Sequence, residues 1–251
     1  MSNLKIATIA GLVIMSVTGC SEGTGPRQAD RQAVTLRVAA SSLAPSAQAP
    51  GSVTVAGHTL VLSKIELVLR DIKFKRVEGG ADCDDLEAAG NAKDDCERFV
   101  TGPMLLDLPL GGAPERVVSV EVDSGTYRQV EFRIHKPEDE NGDASFLAAH
   151  PDLKKISVRV TGQYDGNGFV YISDLSAKQR NDLTPPLVVG SKAATDVTLK
   201  VDVATWFAAG GSLIDPATAL KGQPNDNVVR DNIRRSFHWF EDKDHDGKDD
   251  R

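Results

Sequence analysis

Residues 59–77 decide the fold, and they read TLVLSKIELVLRDIKFKRV. Ile65, Leu67 and Leu69 share one face, and Lys64, Glu66 and Arg70 lie on the other. This is the period of two that is typical of a β-strand with one buried face. After Arg70-Asp71 the apolar phase moves by one residue, to Ile72. A slip of one residue in such a pattern predicts a β-bulge or a tight turn at that point.

Shorter segments with the same alternation occur along most of the chain. Turn-forming residues separate them, and the clearest turn, Asp165-Gly166-Asn167-Gly168, joins two of them into a predicted hairpin. The other predicted strands are 34–39, 52–55, 104–108, 117–122, 127–135, 156–160, 169–172 and 197–203. Many short strands with turns between them predict a mainly β protein, an antiparallel β-sandwich of the immunoglobulin type.

The C-terminal part of the chain has a different period. Val229, Ile233, Phe237 and Phe240 follow one another at spacings of four, four and three. This spacing puts them on one face of an amphipathic helix. We therefore predict one C-terminal α-helix over residues 226–240, with its apolar face packed on the end of a sheet.

The N-terminus resembles the signal sequence of a bacterial lipoprotein. Lys5 precedes an apolar run of about a dozen residues, which is too short to span a bilayer. The Val17-Thr18-Gly19-Cys20 stretch that follows is similar to a lipobox, which implies cleavage before Cys20 and a lipid on its sulfur. A buried N-terminal helix with an incidental cysteine is the alternative. Ser21 stands where an aspartate favours inner-membrane retention, so the resemblance implies an outer-membrane lipoprotein that faces the periplasm or the cell surface.

These patterns divide the chain into four predicted parts. A signal peptide covers residues 1–19, and a flexible tether covers 20–33. The β-sandwich domain extends over 34–205. A C-terminal helical extension with an acidic, aspartate-rich tail covers 206–251.

The composition is acidic. The chain has 29 lysines and arginines against 36 aspartates and glutamates, a formal net charge of −7. A net negative field repels nucleic acid and anionic lipid, so we predict no nucleic-acid partner. The predicted contact with the membrane is through the lipid anchor.

Two cysteines remain besides Cys20. Cys83 and Cys96 flank an acidic segment, and an even pair in an exported protein predicts one disulfide, in an acidic loop over 78–100. The bridge would close a loop of about a dozen residues, worth roughly 2–3 kcal/mol. A metal site is the alternative, but no histidine lies nearby and the spacing fits no zinc pattern.

Three stretches together resemble an uncharacterised family of exported bacterial β-domains. They are the strand 63–67 (SKIEL), the strand start Gly125-Thr126-Tyr127, and the hairpin 162–169 (GQYDGNGF). The resemblance covers about residues 34–205. It implies a sandwich like those of carbohydrate-binding and transthyretin-like domains, and it implies no established activity.

The tail resembles the calcium loops of dockerins and thrombospondin-type repeats. Residues 242–250 follow the pattern D-x-D-x-D-G-x-x-D, in which oxygens at alternate positions wrap a hard cation and glycine permits the sharp turn. The predicted calcium ligands are the side chains of Asp242, Asp244, Asp246 and Asp250 and the backbone carbonyl of Lys248. The sequence stops before the twelfth loop position, where EF-hands have a bidentate glutamate. A solvated acidic terminus is the alternative.

Other candidate sites are weaker. Asp139, Asn141 and Asp143 form an oxygen-rich turn that we interpret as a loop, with a calcium site as the alternative. The five histidines fit no zinc pattern, and His135 is predicted to face solvent on a strand edge. Five aromatic residues could stack against sugars, although core packing is the favoured interpretation: Tyr127, Tyr164, Tyr171, Trp206 and Trp239.

The search for catalytic motifs leaves a binding protein as the leading hypothesis. The sequence has no Gly-x-Ser-x-Gly elbow, Walker loop or dinucleotide-binding glycine pattern. We predict a non-enzymatic, lipid-anchored binding or scaffolding protein of the cell envelope, whose ligand by fold analogy is a carbohydrate or another envelope polymer or protein. The alternatives are an envelope hydrolase with paired carboxylates and a structural subunit of an envelope assembly.

Overall fold

A computed structural model gives the architecture of most of the chain after residue 30. It describes residues 31–41, 51–76, 96–100, 102–111, 114–140, 142–190 and 195–250. The predicted signal peptide, Cys20, Cys83 and the side chain of Cys96 lie outside this described part. The lipidation and the disulfide therefore stay predictions.

Fourteen strands are present in the described residues. In chain order they are β1 (Arg31–Ala40), β2 (Ser52–Val55), β3 (His58–Arg76), β4 (Cys96–Val100), β5 (Met104–Asp107), β6 (Glu115–Asp123), β7 (Gly125–Ile134), β8 (Val158–Tyr164), β9 (Asn167–Ser173), β10 (Ala177–Val189), β11 (Thr195–Val201), β12 (Ala208–Ala209), β13 (Ser212–Leu213) and β14 (Phe237–Glu241). The larger sheet has the order β10-β7-β3-β8-β9, and β2, β4 and β5 also pair with β3. The smaller sheet has the order β14-β11-β1-β6, and β12 and β13 form a short ribbon.

The sandwich predicted from the sequence is confirmed. All strand pairs in the described ranges are antiparallel except β1 and β11, which run parallel. The inner faces of the two sheets form one hydrophobic core. Contact between the sheets is clear at Phe132 on β7, whose ring lies 5.2 Å from that of Phe237 and 5.7 Å from that of Trp239, both on β14.

Strand β3 organises the larger sheet, as residues 59–77 predict. It is 19 residues long and pairs with five other strands. The predicted irregularity at Arg70-Asp71 is confirmed, because the register with β7 shifts between Arg70 and Lys73. Asp71 has a φ of 53°, the left-handed conformation that reverses the strand's faces at a bulge.

The pairing of β8 with β3 explains why a glycine stands at position 162, the first residue of the hairpin stretch 162–169. A Cβ at Gly162 would lie 2.1 Å from the backbone oxygen of Val61 on β3, so a side chain cannot fit there. A Cβ at Gly168, on the neighbouring strand β9, would have no atom within 4 Å. The glycine at 162 therefore permits the close approach of two backbones.

Two α-helices occur in the described residues: α1 (Ala144–Ala149) and α2 (Asp226–Arg235). The predicted helix over 226–240 was too long. It ends before Ser236, and the alternating Phe237–Glu241 segment forms β14 against β11 instead. Phe237 is buried, but it lies on a strand and not on the helix. The hydrogen-bonded pairing with β11 decides its conformation, although the helical spacing of apolar residues continues past the end of the helix. Neither helix is long and apolar enough to cross a membrane within the described ranges.

Two further differences concern strand limits. Strand β1 begins at Arg31, so the last three residues of the predicted tether belong to the smaller sheet. Strand β10, which includes Pro185 and Pro186, was not predicted. It lies at the edge of the larger sheet, where proline is tolerated because no neighbour needs its missing N–H.

Candidate metal centre

The aspartate-rich tail leaves the smaller sheet at the end of β14. The first aspartate, Asp242, continues the pairing of β14 with β11, and its backbone N–H donates to the carbonyl oxygen of Asp196 at 3.3 Å. Its side chain turns inward and has no solvent exposure. The Oδ2 atom accepts hydrogen bonds from the Thr198 hydroxyl at 2.8 Å and from the Gly247 N–H at 3.2 Å.

The second carboxylate oxygen of Asp242 is unusual. Oδ1 is buried and has no hydrogen-bond partner among the residues that the structure describes. A buried carboxylate oxygen without a partner is costly, and buried charges are ordinarily paired or bound to a metal. This atom is therefore a ready ligand for a cation.

Two more carboxylates converge on the same point. Asp242, Asp244 and Asp250 each offer one oxygen, and these three atoms all lie within 4.8 Å of one another. Oxygens bound to one calcium ion lie about 2.3–2.6 Å from it, so ligands on opposite sides are about 5 Å apart. The three oxygens thus have a spacing that one calcium ion can bridge. Within the described ranges, this is the one group of three or more histidine, cysteine or acidic residues so arranged.

The tail's own backbone helps to place these side chains. The Lys243 N–H donates to the Asp250 carboxylate, which folds the end of the tail back towards its start. The Asp246 N–H donates to Asp244 Oδ1 at 3.1 Å. Gly247, with a φ of 75°, makes the sharp turn that the loop pattern requires.

Asp246, the fourth predicted carboxylate, is not part of the cluster. The carboxylate of Asp246 accepts from the Lys248 N–H at 2.7 Å and from Lys248 Nζ at 2.6 Å. The ion pair lowers the pKa of Asp246 and raises that of Lys248. The structure thus brings together three of the four predicted carboxylates, with Asp246 engaged by its neighbour.

His135 was wrongly predicted to face solvent. It is buried, and its Nε2 lies 2.7 Å from Oδ2 of Asp143, which is itself fully buried. Asp143 also accepts from Arg70 Nη1 at 3.1 Å and from the Glu138 N–H at 2.9 Å. Its oxygens are satisfied by these donors, while Asp139 pairs with Lys154 and Asn141 lies outside the described residues. Asp139 and Asp143 are therefore held by hydrogen bonds and ion pairs within the protein.

The aromatic residues are core residues for the most part. Tyr127, Tyr171, Trp206 and Trp239 are all buried in the sandwich, which agrees with the favoured interpretation. Trp206 also donates through Nε1 to the Ser236 hydroxyl at 2.9 Å, joining the segment before β12 to the end of α2. Tyr164 is half-buried and stacks on His58.

The sequence could not identify the residues that contact the carboxylate cluster. Thr198 and Asp196 belong to an ordinary alternating strand, and nothing in their local sequence links them to residues 242–250. The sequence does show that both are polar residues that alternate with the apolar residues of β11. This alternation puts them on the face of β11 opposite its buried valines and leucine.

Comparisons with known proteins identify one similar solved structure and no family. No family model matches the chain, and no curated protein matches it. Among solved structures, MbnP from Methylosinus trichosporium is similar over 79% of this chain and 87% of that chain, with a TM-score of 0.41 and 11% sequence identity. A likeness at this level indicates neither a family nor a function, so the site rests on its own geometry.

Proposed function

We propose that this chain is a non-enzymatic, lipid-anchored β-sandwich of the cell envelope whose C-terminal loop binds one calcium ion. The observation that supports the ion is Asp242, a fully buried carboxylate with one oxygen unpartnered in the described residues, next to two convergent carboxylates. A cation satisfies that oxygen and offsets the repulsion between three like charges.

The donor set favours calcium over transition metals. All three side chains offer carboxylate oxygen, which suits hard cations, whereas zinc and copper prefer imidazole and thiolate. The one histidine of the loop, His245, is engaged elsewhere, with Nε2 2.8 Å from Asp196 Oδ2. Asp244 and Asp250 are exposed, so water can complete the six to eight ligands that calcium takes.

The affinity that we expect is modest. Lys243 and Lys248 lie within the loop and reduce its negative field. Extracellular calcium modules bind with Kd values of about 10⁻⁴–10⁻³ M, and an exported protein would meet calcium in that range. The proposal of export itself comes from the lipobox-like stretch before Cys20, and a Cys20→Ala chain should lose its membrane fraction.

Isothermal calorimetry on the full chain in detergent tests the metal site. We expect one calcium per chain, weaker magnesium binding, and at least tenfold weaker calcium binding in Asp244→Asn. Asp249→Asn is the matched control, because it removes the same charge from the same loop outside the cluster. No calcium binding, or equal losses in the two variants, would contradict the proposal.

A further inference from the structure

The C-terminal loop lies across the outer face of the smaller sheet. The side chains of β11 alternate, so Val197, Leu199 and Val201 face the core while the residues between them face away from it. An outer face of this kind is ordinarily open to water. Thr198, however, has no exposed surface, and its hydroxyl donates to Asp242 at the start of the loop 242–250.

Three outward side chains of β11 each hold one point of the loop. His245 pairs with Asp196, Asp242 accepts from Thr198, and the Gly247 carbonyl accepts from Lys200 Nζ at 3.3 Å. We call residues 242–250 the strap. Each of these contacts is a single polar bond, so they fix the strap at three separate points along β11.

The strap also reaches the next strands of the sheet. A Cβ at Gly247 would lie 3.0 Å from Cγ of Pro114, which precedes β6, and 3.8 Å from Cβ of Ala39 on β1. Arg37 on β1 pairs with Asp196, the residue that holds His245 of the strap, with Nε 3.3 Å from Oδ1 of Asp196. The strap therefore extends from β14 over β11 and β1 to the start of β6.

The closed strap concentrates negative charge. Closure buries Asp242 with an unpartnered oxygen. It also brings one carboxylate oxygen each of Asp242, Asp244 and Asp250 within 4.8 Å of one another. Both effects disfavour closure when no cation is bound. Both become favourable when a divalent cation lies between the three oxygens.

We infer that cation binding and closure of the strap are one equilibrium, so that calcium fastens the C-terminal strand onto the smaller sheet. This inference rests on the proposed calcium site. With calcium, the strap covers the outer face of β11 and holds β14 in place. Without calcium, the strap opens, the outer face of β11 becomes exposed, and β14 frays because it is an edge strand beside it.

Hydrogen exchange of the full chain, followed by mass spectrometry, measures this coupling. If binding requires the closed strap, calcium at 100 times its Kd slows exchange of the strap and of β14 by about 100-fold. The tip of the β8–β9 hairpin, at Asp165-Gly166, should exchange at the same rate with and without calcium, because it opens independently.

The outcomes separate the inference from the proposed function. Calorimetric calcium binding without slower exchange in β14 would overturn the inference and leave the calcium site standing. Slower exchange confined to residues 243–250 would also overturn it, because the ion would then order the loop without fastening the strand. If calorimetry shows no binding, the proposed function fails first.

Thr198 is a positioning residue, because its hydroxyl orients the carboxylate of Asp242. Thr198→Val removes the hydroxyl that orients Asp242 but keeps all three carboxylates, and it should weaken calcium binding about three- to tenfold. Thr35→Val is the matched control, because Thr35 lies on β1 and bonds Ser119, not the strap. A purely structural role for Thr198 would instead speed exchange in β14 equally with and without calcium and leave the affinity unchanged.

Discussion

Replacing Asp242 with asparagine separates the cost of its buried charge from the benefit of a bound cation. The amide oxygen can still accept from Thr198 and Gly247, while the negative charge and one ligand oxygen are lost. Without calcium, the variant no longer buries an unpartnered charged oxygen, so its free energy of unfolding should stay within about 1 kcal/mol of the wild type.

Calcium should then distinguish the two proteins. At 100 times its Kd, a ligand that binds only the folded state adds about 2.7 kcal/mol to the free energy of unfolding. For a chain of this size that corresponds to a rise in Tm of about 5–10 °C. Asp242→Asn should show almost none of this rise.

The assay is urea or thermal unfolding of both proteins with calcium and with a chelator, followed by tryptophan fluorescence. Asp242→Ala is the reference that removes both carboxylate oxygens, and it should also lack the calcium-dependent rise. A calcium-dependent rise in Asp242→Asn equal to that of the wild type would contradict the calcium proposal. So would a free energy of unfolding of Asp242→Asn in the chelator that lies more than about 1 kcal/mol below that of the wild type.

Two further predictions concern the larger sheet. Hydrogen bonds from Arg159, at 2.5 and 2.9 Å, hold the pKa of the buried Glu66 at about 2, so its stabilisation of the fold should be complete above pH 4.5 and lost as the pH falls towards 2. Urea unfolding as a function of pH should show Glu66→Gln lacking this dependence, worth at most about 3 kcal/mol; an unchanged pH profile would contradict it. Gly162→Ala should cost about 1–3 kcal/mol because its Cβ meets the backbone of β3, whereas Gly168→Ala on the facing strand should cost less than 1 kcal/mol. Equal losses in the two glycine variants would be inconsistent with the close approach seen at residue 162.

The strands that could be predicted are those whose own alternation marks a buried face. Strand β3 is the clearest case, since even its bulge at Arg70-Asp71 follows from the shift in apolar phase. The β8–β9 hairpin was equally predictable from the sequence. Its turn needs residues that tolerate positive φ angles, and Asp165 and Gly166 adopt them. Local sequence is sufficient where the determining interactions lie within one hairpin or one strand.

The errors occur where distant pairing decides. Residues 237–241 continue a helical spacing, but the edge of β11 offers them hydrogen bonds and a place for Phe237 and Trp239 in the core. Strand β10 lacks a regular alternation and includes two prolines, and only its position at the sheet edge explains it. His135 was misplaced because its partner, Asp143, approaches from a separate loop.

The proposed calcium site was partly predictable. The D-x-D-x-D-G-x-x-D pattern identified Asp242, Asp244 and Asp250, but it treated all of the aspartates as equivalent loop positions. The burial of Asp242 depends on the register between β11 and β14, which places it beside Thr198. That register, and the pairing of Asp246 with Lys248, follow from the folded arrangement and not from the spacing of the motif.

Anomalous diffraction from crystals grown with terbium, a luminescent substitute for calcium, shows directly whether the three carboxylates bind one cation. We expect one strong peak per chain, about 2.3–2.6 Å from carboxylate oxygens of Asp242, Asp244 and Asp250, with Asp242 Oδ1 among the ligands. A structure in which these carboxylates stay together without a peak, or in which the metal binds elsewhere on the chain, would contradict this expectation.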